Sequence, residues 1–279
     1  MAQALGRALS LHGIPVVALA SRSRCRAEQA ASFIGPTVQA VDFAGLPGLA
    51  SHVIVAVSDE GITPVAQMLA TAGMRSGVVL HTCGAMGPGA LAPLSGQGVA
   101  CGMLHPLQSI STAHEGVTSL DGITFGVAGD DRAVEWGGEI AALLGGRVIQ
   151  VPIEHLSRYH AAAAMASNVL VGVIDAAVLL MIEAGIDRQI ALSALGPLCR
   201  TTLENTLRSG PQAALTGPIA RGDAATVASH LDAVAGAPPT VEALYRAGAQ
   251  HLLELARRRG LPVETIRALE SVLAGRKVA

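Results

Sequence analysis

The sequence predicts an α/β protein: a doubly wound parallel sheet followed by an all-α C-terminal domain. Three observations carry this. Short, uniformly apolar runs, such as PVVALA at 15–20 and VIVAV at 53–57, read as strands buried on both faces of a parallel sheet. Strands and helices alternate as far as Pro152, which argues for right-handed βαβ units. Beyond Pro152 no strand pattern recurs, so two domains are expected, at 1–152 and 153–279.

The elements follow in order. Residues 2–11 predict a helix with Leu5, Ala8, Leu9 and His12 on neighbouring turns and Gly13 as its stop. Strand 15–20 ends in Ser21-Arg22-Ser23-Arg24, a helix spans 26–33, and a short strand 38–41 comes next. Strand 53–57 ends in Ser58-Asp59-Glu60 and is followed by a crossover helix at 63–72. Two further strands, 78–80 and 99–104, end in His81-Thr82-Cys83 and His105-Pro106-Leu107-Gln108. In an open α/β sheet ligands sit outside the carboxyl ends of the strands, so these two polar clusters mark a site before any family is considered. Strands 123–127 and 148–151 flank a helix at 132–144. Helices are then expected at 153–184, 187–208, 224–235, 240–259 and 262–273, punctuated by Gly185, Gly210, Gly222 and Gly260.

Composition narrows the function classes. The chain is 279 residues long, 51% hydrophobic and 14% charged, with a net charge of -2. That profile suits a well-buried globular chain and excludes disorder. Scattered Lys and Arg and an aromatic content of 2% offer neither a nucleic-acid surface nor a base-stacking platform. Cys25, Cys83, Cys101 and Cys199 form no CxxC pair, so reduced thiols and a cytoplasmic location are expected, with no metal site. No signal-peptide pattern is evident. Residues 161–182 are the most membrane-like segment, but Asn168 and Asp175 within it favour a buried helix.

A dinucleotide-binding domain opens with a strand, then G-x-G-x-x-G/A, then its first helix. This sequence opens on the helix, with Ala2 in the position of the third glycine. The expectation is that the first strand and two glycines, roughly ten or more residues, lie upstream, and that their loss leaves a slot in mid-sheet.

The motifs HTCGA, GMLHPLQS, YHAAAAMASNVLV, PLCRTTLEN and ALTGPIARGD, in this order, resemble a bacterial family pairing a Rossmann-like domain with a C-terminal domain of unknown function, number 2520. That family is similar to the superfamily of ketopantoate reductase, pyrroline-carboxylate reductase, prephenate dehydrogenase, hydroxyisobutyrate dehydrogenase and 6-phosphogluconate dehydrogenase. The resemblance implies NAD(P) binding, a helical substrate and dimerisation domain, and hydride transfer on a small carboxylate-bearing carbonyl, imine or hydroxy acid. It implies a homodimer through 161–182, and it supplies no particular substrate.

Candidate residues fall into place on this frame. Ser21, Arg22, Ser23 and Arg24 stand where an acidic residue would bind the 2′-hydroxyl of NAD; hydroxyls and guanidinium forks suit the 2′-phosphate of NADP instead, NAD remaining possible. Ser58 and Asp59 would border the pyrophosphate and ribose, although Asp59 is equally a helix N-cap. Thr82 and Cys83 would meet the nicotinamide, and His81 would orient substrate or serve structure alone. His105-Pro106 resembles the HP element of prephenate dehydrogenases, with Leu107 and Gln108 in place of their methionine and glycine; a plain turn at Pro106 is the alternative. Relatives place a catalytic lysine and an asparagine on the first helix of the second domain. Lys277 is the only lysine here. By resemblance Asn168 holds substrate and His160 takes the proton-donor role, with His81 and His105 as rival candidates, a task that suits histidine near neutral pH. At ~40° of advance per four residues, His160, Ala164 and Asn168 would share a helix side. Thr216 and Arg221 are candidate carboxylate ligands, while Asp223 caps the next helix. The alternative to an oxidoreductase is a catalytically silent NADP-binding or sensor protein, which the absent lysine favours.

Overall fold

The computed structural model describes residues 1–275, so Lys277 lies outside the described residues. The chain divides into two compact units, 1–167 and 168–279.

The first unit begins with α1 (Ala2–Leu11), β1 (Ala18–Ala20), α2 (Arg24–Ile34) and β2 (Gln39–Val41). It continues through β3 (His52–Val55), α3 (Asp59–Thr71), β4 (Gly77–His81) and β5 (Val99–Pro106). α4 (Ala113–Ser119), β6 (Thr124–Gly129), α5 (Asp131–Leu143), β7 (Arg147–Gln150) and α6 (Leu156–Ala164) complete it. Strand pairing decides the strand lengths. Only Ala18–Ala20 of the apolar run at 15–20 finds a ladder partner, in Gln39–Val41. Likewise β3 stops at Val55 because its partners on β4 end at His81.

β4 shows how the core is built. All five of its residues are buried. Val79 joins a cluster with Ile62, Leu69 and Leu91 on one face. Val78 and Leu80 join Leu5, Leu9, Phe125 and Ile140 on the other. A strand covered on both faces is apolar along its length, here as far as the strand-end His81, and each large apolar side chain contributes about 1.5–3 kcal/mol by burial.

Two features differ from a uniformly parallel sheet. β6 pairs with β5 antiparallel, and β7 runs parallel to β6. The helix between β5 and β6 is only seven residues long. At ~1.5 Å per residue it is too short to carry the chain back along an eight-residue strand rising ~3.3 Å per residue. The strands also form two sheets, β1-β2 and β3-β4-β5-β6-β7. Between them lies a cavity of about 540 Å³ lined by Leu5, Leu9, Val16, Ile54 and Trp136 among others.

The second unit is helical: α7 (Leu170–Glu183), α8 (Arg188–Ser209), α9 (Pro211–Ala214), α10 (Gly217–Arg221), α11 (Ala224–Val234), α12 (Pro239–Arg258) and α13 (Val263–Leu273). Leu215, Ile219, Val227, Leu231, Leu253 and Leu269 form its core. The division between units falls later than Pro152, because Leu156 and Tyr159 pack on Met103 and Ala128 of the first unit's sheet. The segment around Arg221, expected as a loop, is the short helix α10, closed by Gly222 in the left-handed region at φ 74°.

Candidate functional site

The carboxyl ends of β3, β4 and β5 and the first turns of α6 bring Asp59, His81, Cys83, His105, Tyr159 and His160 together within the first unit. His105 is the penultimate residue of β5, and its Nδ1 lies 2.8 Å from the Tyr159 hydroxyl. The His160 ring stands edge-on to His105, with centroids 5.9 Å apart.

Two glycines make the room for this pair. Gly126 is the ladder partner of His105 on β6. A Cβ there would stand 2.3 Å from the Tyr159 hydroxyl oxygen. On the other side, a Cβ on Gly84 would stand 2.7 Å from the His105 ring. The hydroxyl and the imidazole occupy the space of two missing side chains.

Burial, reinforced by the neighbouring His160, lowers His105 to about 4, against the attraction of Asp59. Its ring is therefore neutral at pH 7, with one nitrogen donating and the other accepting. Burial lifts Tyr159 to about 12, which keeps it a phenol. His81 ends β4 with no exposure. Its Nε2 lies 3.0 Å from the Gly87 carbonyl oxygen, so that nitrogen carries the hydrogen and donates. Nδ1, buried, has no hydrogen-bond partner among the described residues. Desolvation also lowers this histidine, outweighing the Gly87 hydrogen bond and the charge of Asp59. The Cys83 thiol is raised, first by burial and also by Asp59, and stays protonated at neutral pH.

These depressed histidines give an expected pH dependence. A histidine lowered in the folded state binds fewer protons there than in the unfolded chain, so stability rises with pH through the window between the two values. For His105 that window runs from about 4 to 6.5. Thermal melts should show the midpoint falling as pH drops from 6.5 toward 4, and His105→Gln should flatten the fall. An unchanged slope in that variant would remove His105 as the cause.

The remaining candidates are distributed as follows. Ser21, Arg22, Ser23 and Arg24 follow β1 at its carboxyl end. Ser23 N-caps α2 by accepting from the Arg26 amide, and Arg24 pairs with Glu28 at 2.8 Å. Arg22 is exposed. Ala2 opens α1, whose first turn has no acidic residue and no side-chain cap. Ser58 occupies the N-cap position of α3, which starts at Asp59, not at the expected 63. Thr82 donates its amide to the Val55 carbonyl at 3.3 Å. Asn168, Thr216 and Arg221 belong to the second unit. Asp223 caps α11, accepting from the Thr226 amide at 3.0 Å. The even helix side expected for His160 and Asn168 does not hold, because Met165–Val169 is a π-helical turn. An i→i+5 turn advances less per residue than an α-helix, so the 100° arithmetic fails across it.

Tyr159 opens the YHAAAAMASNVLV motif but had no role of its own from the sequence. It stands 54 positions from His105, and no spacing rule links residues that far apart. Gly84 entered only as part of the HTCGA motif, with no role of its own, and Gly126 carried no signal.

The fold and site define a Rossmann-like α/β domain joined to a helical domain, with a polar cluster at its strand ends. Residues 1–106 match the Rossmann-like domain family, and residues 123–252 match the domain of unknown function DUF2520. The chain thus carries a Rossmann-like domain followed by a DUF2520 domain. Among solved structures it resembles protein TM1727 from Thermotoga maritima, at 24% identity and a TM-score of 0.71, covering 92% of this chain and 96% of that one. It also resembles BF3122 from Bacteroides fragilis, whose description offers NADP oxidoreductase as a provisional assignment, at 20% identity, TM-score 0.69, covering 92% and 93%. Pyrroline carboxylate reductase from Plasmodium falciparum, solved with NADP bound, follows at 12% identity and TM-score 0.57, covering 98% and 92%. No curated protein matches the sequence.

Proposed function

We propose that this protein is an NADP-preferring oxidoreductase acting on a small carboxylate-bearing carbonyl, imine or hydroxy acid. The observation that carries the reading is the His105–Tyr159 hydrogen bond of 2.8 Å at the carboxyl end of the sheet, with His160 beside it. The likeness to a pyrroline carboxylate reductase supports an imine or its reduced counterpart as substrate.

The residues present fit a dinucleotide at two places. The uncapped, non-acidic first turn of α1 offers backbone amides to a pyrophosphate. Ser21, Arg22 and Ser23 offer hydroxyls and a guanidinium fork to a 2′-phosphate. Bound there, NADP would supply or accept the hydride. The chain's own residues handle the proton. With hydrogen on Nδ1, His105 donates to the Tyr159 oxygen and leaves the phenolic hydrogen directed elsewhere, toward the substrate heteroatom. The same donation stabilises phenolate character as that hydrogen departs. His160, half-buried beside the ring, connects the pair to solvent. His81 pins the 82–87 loop through Gly87 and takes no proton at neutral pH. Arg221 and Thr216 remain the candidate carboxylate ligands, and Asn168 the candidate substrate-holding amide.

The test is titration of the full chain with NADPH and NADH, followed by turnover with a panel of 2-keto acids and cyclic imines. Tighter NADPH binding and turnover that falls in His105→Ala are expected. Binding without turnover on any member of the panel, unaffected by His105→Ala, would support the sensor instead. Arg22→Glu should weaken NADPH by about 10–100-fold, the equivalent of one lost charge-assisted contact, and leave NADH unchanged. Equal loss for both cofactors would place Arg22 away from the 2′-phosphate.

A homodimer is the second part of the proposal. The helical run Ile153–Glu183 is long and apolar enough to cross a membrane by length and composition, with a mean hydropathy of 2.1, and only 6% of that window is buried. Val171 is 68% exposed, and Leu198 and Leu207 on α8 are 62% and 78% exposed. Asp175 and Arg188 form an ion pair at 3.6 Å on the same pair of helices. Such a polar pair is costly in lipid and tolerable between protein surfaces, so a second copy is the favoured cover. Val171→Glu should convert a dimer to a monomer in size-exclusion chromatography with light scattering. Partition of the unaltered chain into membranes would overturn the dimer.

A further inference from the structure

The carboxylate of Asp59 has no task in the proposed proton transfer, yet the fold sets it beside the groups that do. Val55 pairs with His81 and His81 with Met103, so β3, β4 and β5 finish side by side. Residues two apart on a strand share a face. Val79 and Cys101 precede His81 and Met103 by two positions, and both lie in the cluster that Ile62 and Leu69 of α3 help to build. His81, Met103 and His105 therefore face the α3 side of the sheet, and Asp59 is the first residue of α3.

The groups that feel Asp59 are those of the strand-end cluster. Its charge raises the proton affinity of His81, of His105 and of the Cys83 thiol, in each case a smaller influence than burial. No lysine or arginine acts on these three or on Tyr159 among the described residues. All four are uncharged at pH 7, so Asp59 is the one fixed charge beside them. His81 adds to the negative potential. Its Nε2 donates to Gly87, which leaves the buried Nδ1 as the negative end of the ring dipole, with no donor to offset it among the described residues. A pyrophosphate has the wrong sign for such a place. A reacting group that turns positive has the right one.

We propose that Asp59 determines the substrate class: with the His81 acceptor it makes the site complementary to a positively charged nitrogen at the reacting centre, an iminium and the ammonium it becomes, and not to a ketone or alcohol. The inference rests on the oxidoreductase reading and narrows it. Hydride addition to a ketone builds negative charge on oxygen, which a neighbouring carboxylate opposes. Imine reduction passes through a protonated, positive nitrogen, which the carboxylate favours. In that reaction the imine nitrogen takes the Tyr159 hydrogen, hydride from NADPH adds to carbon, and the π electron pair settles on nitrogen, leaving amine and NADP⁺. Tyr159 regains its proton from solvent through His105 and His160. Asp59 is exposed, so water screens its charge and the discrimination is modest, about 5–10-fold.

Two ring acids give the test: pyrrolidine-2-carboxylate, whose ring nitrogen is a cation, and tetrahydrofuran-2-carboxylate, with a neutral oxygen in its place. Their binding to the full chain, alone and with NADPH, is measured by calorimetry, and turnover is followed with a cyclic imine and a 2-keto acid. The nitrogen ring should bind about 5–10-fold more tightly. Asp59→Asn should erase that preference, lower kcat/KM for the imine and raise it for the keto acid. Asp59→Glu should keep part of the preference. Glu60→Gln, which removes an adjacent carboxylate that none of the four groups feels, should keep all of it. A preference that survives Asp59→Asn overturns the proposal, as does binding of neither ring. So does an equal fall in turnover of imine and keto acid. Weaker binding of NADP⁺ than of NADPH in Asp59→Asn, with the ring preference intact, would assign the charge to the oxidised nicotinamide and likewise overturn it. Failure of the oxidoreductase reading looks different: neither substrate turns over, while the ring preference, read by binding alone, still decides the role of Asp59.

Discussion

Tyr159→Phe should lower turnover by about 10²–10⁴-fold, the usual range for removing a positioned general acid. The NADPH dissociation constant should not change, because the hydroxyl faces His105 and not the Ser21–Ser23 cluster. Gly126→Ala is the sharper version of the same experiment. It removes no polar atom, yet its methyl would stand 2.3 Å from the hydroxyl oxygen and must push Tyr159 off His105. Both variants should lose kcat with little effect on KM. A Gly126→Ala enzyme with unaltered kcat would show that the pair is structural.

Gly77→Ala should be the most destabilising single-methyl change in the first unit. Gly77 has φ +99°, and a Cβ there would lie 1.8 Å from the Ser51 carbonyl oxygen. That carbonyl accepts from the Val78 amide at 2.9 Å, so it cannot retreat without breaking the join between β3 and β4. Strained backbone and a lost hydrogen bond together should cost at least about 3 kcal/mol. In a chain this long that corresponds to a fall of roughly 6–12 °C in melting temperature. Gly138→Ala in α5 is the control: among the described residues nothing beyond its chain neighbours and its own helix backbone lies within 4 Å of a Cβ there, and the gain in helix propensity should leave stability equal or slightly higher. Equal melts for the two variants would refute the steric account.

Most of the fold was legible because it rests on local periodicity. The run at 78–80 and the helix at 2–11 are written in consecutive or i+3/i+4 apolar residues. What failed depends on partners distant in sequence. The run at 15–20 looks like six residues of strand, yet the ladder with Gln39–Val41 admits three. The antiparallel β5–β6 step is set by a connection whose helix proved short, which no strand pattern records. The π-turn at Met165–Val169 is equally silent in a run of Ala, Ser and Asn. In the site, histidines at strand ends could be found by position alone. Tyr159 could not, since its role arises from a hydrogen bond across the β6 ladder, and neither could Gly126, whose contribution is an absent side chain.

The separate β1-β2 pair has a consequence for how any affinity measured at Ser21–Ser23 should be read. Two three-residue strands with a single ladder are marginal by themselves, and this pair is hydrogen-bonded to no strand of the five-stranded sheet. Its opening free energy should lie below that of β4 and β5, as it does for sparsely paired segments generally. On the proposed assignment of Arg22 to a 2′-phosphate, only molecules with this pair closed would be competent to bind it. An apparent dissociation constant equals the intrinsic one divided by that closed fraction, so a pair closed one time in ten would weaken binding about tenfold with every contact intact. Cofactor affinity at the proposed site would then be in part a readout of local folding, and ligand and stability measurements on the first unit would report on a single equilibrium.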